Sequence, residues 1–140
     1  MMKPIVFALL VTLFGVAEAK MQNVTVHGIA VCDKHRMPNV LVELWEKDTL
    51  DPNDLLDSVH TNKEGEFKLK GGEDEVGSIE PFIRVTHKCK ASVKPDKVCS
   101  RKTEYIVPKS HINGPIYDMT YMTLDIFNKG EKEDCVKPKL

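Results

Sequence analysis

From Asn23 onward apolar side chains recur at every second position, and no stretch sustains the three-to-four-residue spacing of a helix. Period two puts successive side chains on opposite faces of a strand, so such a chain is constrained to sheets with one face turned inward. Asn23 to Cys32 reads as a first strand. Val40, Val42 and Leu44 form one wholly apolar face, alternating with Leu41, Glu43 and Trp45. Leu56 to Thr61 is a short strand, and Phe67 and Leu69 point inward from the next. Phe82 to Cys89 is another, with Ile83 and Val85 opposite Arg84 and Thr86, followed by Thr103 to Val107. Ile116 to Phe127 is long and apolar enough to be central, with a bulge at Thr120 where the alternation falters.

Between these segments lie turn signals. Asp33 to Asn39 is a polar turn, and Asn62-Lys-Glu-Gly65 is a tight one in which Gly65 supplies a positive φ. Asp48 to Asp57 is an acidic loop with one helical turn expected at Asp54 to Asp57, and Lys90 to Ser100 is a basic loop. About seven strands with turns between them predict an all-β sandwich or barrel.

The chain has 140 residues and opens with Lys3, an apolar run from Pro4 to Ala17, and Ala17-Glu18-Ala19. This is the layout of a secretory leader with a small-residue cleavage site. The run is shorter than the roughly 20 residues that span a bilayer. The expected organisation is a leader over 1–19 and one domain over 20–140, exported to the extracellular space, with no membrane-spanning segment after cleavage. Asn23-Val-Thr25 is an acceptor triplet for glycosylation, at Asn23.

Four cysteines follow the leader: Cys32, Cys89, Cys99 and Cys135. An even number in an exported chain predicts disulfides, and four allow three pairings. No C-x-x-C pair favours zinc, and an oxidising compartment argues against free thiolates. Cys89 and Cys99 flank a ten-residue connection between antiparallel neighbours, which suits a bridge across its base. A Cys32–Cys135 bridge would then staple the tail to the body, provided that the first and last strands are neighbours.

The residues that carry a resemblance are now in place. Val24 to Cys32, Pro38 to Leu44, the Asp48–Asp57 loop, Thr61 to Phe67, His87-Lys-Cys89, Ile106-Val-Pro108, and Tyr117-Asp118 leading into Leu124 resemble the nematode transthyretin-like family. Any one of these segments is weak, but their order and spacing are specific. The resemblance implies a transthyretin-type Greek-key β-sandwich, secreted, with disulfides Cys89–Cys99 and Cys32–Cys135. Members of that family are typically secreted proteins, and some resemble bridging factors that bind phosphatidylserine on dying cells and a receptor on phagocytes.

Catalysis has little support in the residues. A hydrolase of 5-hydroxyisourate on the same fold uses a His three residues before the Asp closing its first strand and a Tyr-Arg-Gly-Ser C-terminus. Here Ala30 stands at that position, the chain ends Lys137-Pro-Lys-Leu140, and His27 lies in another register. None of His27, His35, His60, His87 and His111 sits in a catalytic motif. Strand parity turns His87 inward with Ile83 and Val85, where it needs a partner. Asp48, Asp51, Asp54 and Asp57 lack the Gly and closing Glu of an EF-hand, so solvated acids are expected there instead of a metal. No cofactor is expected.

Charge is distributed unevenly behind a net of −1. Residues 84–109 carry eight Lys and Arg against Asp96 and Glu104, whereas residues 43–80 carry twelve acids against four lysines. The basic hairpin, with Lys88, Lys90, Lys94, Lys97, Arg101 and Lys102, is the candidate binding surface. It would serve an anionic lipid surface or an extracellular protein, nucleic acid being an unlikely partner for an exported chain. The alternative is a carrier of a small hydrophobic ligand, as in the channel between transthyretin dimers.

Overall fold

The computed structural model describes residues 18–139. Most of the leader read at 1–19 therefore lies outside the described residues. No helix among those described is long and apolar enough to cross a membrane.

Nine strands are present among the described residues: β1 (Lys20–Cys32), β2 (His35–Arg36), β3 (Leu41–Glu46), β4 (Asp54–His60), β5 (Glu66–Glu75), β6 (Pro81–His87), β7 (Val98–Ile106), β8 (Tyr117–Thr123) and β9 (Lys132–Val136). They form two sheets. In the first, β1 is central, with β2 and β5 antiparallel to it and β8 parallel along its other side. The second runs β4-β3-β6-β7-β9, with every pair antiparallel. The all-β sandwich expected from the alternation is what the chain forms.

The core lies where the inner faces meet. Val24, Val26 and Ala30 of β1 and Phe67 and Leu69 of β5 are buried in one cluster with Val42 and Leu44 of β3 and Ile83 and Val85 of β6. These are the period-two positions of each strand. The Phe67 ring lies over Gly28, where a Cβ would come within 2.9 Å of it, so the first strand has no side chain at that place. Gly65 has φ +74° in its turn, and Asn62 Oδ1 accepts the Glu64 and Glu66 N–H groups across it.

Several expectations are corrected. The helical turn at Asp54–Asp57 is the start of β4. Two short strands raise the count from seven to nine. The segment expected to be central instead places β8 at an edge of the first sheet. The register slips between His27 and Ile29, and Thr120 takes φ +55°, so the bulge falls where the alternation faltered. β2 follows a two-residue turn, Asp33-Lys34, whose residues both have positive φ (49° and 64°). That is the geometry of a tight hairpin, built here without the glycine that usually marks it.

The disulfides pair Cys32 with Cys89 and Cys99 with Cys135, not Cys89 with Cys99 and Cys32 with Cys135. The β6–β7 register would bring residue 89 opposite residue 99, but the ladder ends at His87–Arg101. Beyond it Lys90 takes φ +54°, and Cys89 bonds across to the end of β1 in the other sheet. The tail forms β9 against β7 instead of lying beside β1, which sets Cys135 directly opposite Cys99. One bridge therefore joins the two sheets, and the other locks the edge strand. Peptide mapping of the unreduced protein is expected to recover Cys32–Cys89 and Cys99–Cys135 fragments. A fragment linking Cys89 to Cys99 would contradict the fold.

Candidate binding surface

The basic connection between β6 and β7 is a pinned loop. Cys89 anchors its start to β1, and Cys99–Cys135 holds the strand it enters. Lys90 forms a 2.8 Å ion pair with Asp33, which raises the lysine pKa and lowers that of the carboxyl. The Asp33 N–H in turn donates to both oxygens of Asp125. Farther along, the Ser92 N–H donates to Glu133 of β9 at 2.9 Å, holding the Glu133 carboxyl below its ordinary pKa. An isolated bridge joins Lys94 to Lys97. Along this loop Val93 is 98% exposed, and Lys88, Lys94 and Lys97 are exposed as well.

Two of the six expected binding residues lie elsewhere. Lys102 is exposed on the outer face of the second sheet, opposite Lys132, five residues or roughly 17 Å along β7 from Lys97. There it lines a cleft of about 310 Å³ with Arg84, Glu104 and Lys132. Arg101 is not a surface residue at all, being 0% exposed. Parity explains this: Cys99, Arg101 and Thr103 share the inner face of β7, and Lys102 takes the outer one. The Arg101 guanidinium donates to the carbonyls of Cys89 and Leu124 at 2.6 Å and Ile126 at 3.2 Å, and to both oxygens of Glu131. Phe127 covers it, with the ring centroid 3.7 Å away. The Thr103 hydroxyl also donates to Glu131.

The histidines disperse. His27 is exposed and pairs with Asp118 at 3.2 Å, His35 meets the Asp33 carbonyl, and His111 the Pro115 carbonyl. Ala30, at the position where the hydrolase would need its histidine, is buried in the core. His87 is inward as parity requires. Its Nε2 lies 3.0 Å from Thr103 Oγ1, and its Nδ1 accepts the Cys89 N–H. Burial pushes its pKa down to about 4, with Arg101 adding to the fall and Glu131 opposing it.

The acids at Asp48, Asp51, Asp54 and Asp57 do not converge. Asp48 accepts the Leu50 and Asp51 N–H groups within its own turn, and Asp57 accepts those of Ser58 and Lys70. Asp54 stands opposite Glu46 in the β3–β4 ladder. Asn23 is exposed within β1. A second groove, of about 510 Å³, is lined by Phe82, Tyr105, Val107 and Ile106, the last 83% exposed.

A doubly cross-linked sandwich that presents a pinned, exposed loop has the build of a binding-type module. Comparison with known proteins gives its kinship. The description "TTR-52: Transthyretin-like family" matches residues 27–108. Transthyretin-like protein 16 of Caenorhabditis elegans is 56% identical over 117 residues, covering 84% of this chain and 86% of that protein. Transthyretin-like protein 46 of the same organism is 40% identical, covering 91% and 74%, and transthyretin-like protein 5 is 34% identical, covering 96% and 99%. The chain belongs to the Transthyretin-like family.

Two predictions follow from the inner face of β7. Arg101→Met leaves Glu131 buried and unpaired and should cost about 3–5 kcal/mol in urea unfolding, whereas Arg101→Met with Glu131→Leu should recover much of that. His87 is held neutral while the unfolded chain protonates it near pH 6.5, so its contribution is present above that pH and is lost as pH falls toward 4. Between those limits the native protein should lose roughly 2–3 kcal/mol more than His87→Gln, measured as urea midpoints across the range.

Proposed function

We propose that this protein is an exported binding module that docks on anionic surfaces, such as phosphatidylserine headgroups, through the loop at 88–97, leaving the rest of the sandwich for a cell-surface protein. The observation that carries the reading is the loop tip: Val93, almost wholly exposed, between lysines on a segment anchored by disulfides near both ends. An exposed apolar residue on a lysine-bearing loop matches the boundary between headgroup and acyl chain. Each Lys near such a surface contributes about 1 kcal/mol, so the loop's lysines suffice for reversible docking. Lys90 contributes least, because Asp33 already holds it. A leader over residues 1–19 and two disulfides fit the same compartment.

Vesicles of phosphatidylcholine with and without phosphatidylserine test the reading. The protein should sediment with the anionic vesicles only, and less so at 0.5 M salt, where charges are screened beyond a few ångströms. Lys88, Lys94 and Lys97→Glu together should abolish the effect, and Val93→Asp should weaken it. Undiminished sedimentation of the triple variant would overturn the proposal.

A further inference from the structure

Parity at the other end of the sandwich has a chemical result. The inner face of β3 reads Val42, Leu44, Glu46, and that of β5 reads Phe67, Leu69, Gly71, Glu73, Glu75. Each strand carries its core alternation one or two positions too far, into acids. Asp54, the ladder partner of Glu46, joins them from β4. One oxygen from each of Glu46, Asp54, Glu73 and Glu75 lies within 4.8 Å of the others. Glu46 is 2% exposed, and its Oε2 has no hydrogen-bond partner; Glu73 Oε2 is likewise buried and unpartnered. A buried carboxylate oxygen aimed at three other carboxylates, with nothing donating to it, is a costly arrangement unless a cation is its partner.

We propose that Glu46, Asp54, Glu73 and Glu75 form a calcium site clamping the β3–β4 end of one sheet to the end of β5 in the other. The donor set is all oxygen, which selects hard cations over zinc or copper. Oxygens no more than 4.8 Å apart can share one calcium ion at about 2.4 Å from each. Four carboxylates supply four to eight oxygens, and backbone carbonyls or water complete the shell. The charged groups acting on Glu46 and Glu73 are themselves acids, with Glu75 and Asp48 on the first and Asp54 and Glu46 on the second. Burial, then the Asp54 and Glu46 carboxyls, raises the Glu73 pKa. This site lies at the start of β6, whereas the lysine loop follows its end. The two therefore stand or fall separately.

The test uses the full, disulfide-intact secreted protein at pH 7.4. Thermal unfolding is followed in EDTA, in 5 mM CaCl2, and in NaCl of matched ionic strength, with calorimetric titration of CaCl2 alongside. Calcium should raise the native Tm by at least about 4 °C, corresponding to the 10⁻⁴–10⁻³ M affinity typical of extracellular calcium modules, and NaCl should not. Glu75→Gln should melt higher than the native protein in EDTA, because a like charge is removed, and Glu73→Gln and Glu75→Gln should each lose the calcium response. Glu75→Gln serves if the Glu73 variant does not fold. A native Tm unmoved by calcium, an equal shift in NaCl, or Gln variants that respond as fully as the native chain would overturn the site.

Discussion

One buried cation organises the half of the molecule that secondary structure leaves loose. Arg101 sits on the inner face of β7, and its donors reach the segment after β6, the segment after β8 and Glu131 before β9. None of those segments has a ladder of its own at that place. A guanidinium in a dry site must find acceptors for its five N–H groups, so the chain is bent to bring carbonyls to it. The same demand fixes Glu131, and through it Thr103 and the start of β9. It also helps hold His87, its direct partner in the β6–β7 ladder, neutral.

The disulfides work with that centre. Arg101 donates to the carbonyl of Cys89, whose sulfur is bonded to β1, while two residues before Arg101 the chain is bonded to β9 through Cys99. The loop at 88–97 hence springs from a base that is cross-linked on both sides and ionically filled beneath. A loop with that footing loses little further freedom when it meets a partner, and preorganisation of this kind lowers the entropic cost of binding.

How far the sequence discloses this depends on the physics of each feature. Alternation is a local signal, so the strands at Val42–Leu44, Phe67–Leu69 and Ile83–Val85 were legible, as was the inward His87. The same rule applied to Cys99, Arg101 and Thr103 would have buried Arg101. Charge suggested the opposite, because an arginine is expected outside unless its partners are seen, and Glu131 lies thirty residues away. The Asp33-Lys34 turn was hidden for another reason: its positive φ values are sustained by tertiary partners, Lys90, Asp125 and the Cys32 bridge, instead of by glycine. The cysteine pairing depended on β9, a short polar strand with no apolar face to announce it. At Glu46, Glu73 and Glu75 the pattern was present, but acids at core parity read as strand ends until the two sheets are laid together.

The uneven charge also acquires a direction. β6 begins beside Glu46 and ends at the lysine loop, so its seven residues separate the acidic pole from the basic one by about 20 Å. A rigid body with opposite poles is an electric dipole, and near a negatively charged plane it feels a torque as well as an attraction. On the docking proposed here it would arrive already turned, one face toward the plane and the far pole outward, where a second molecule would meet it in a single orientation.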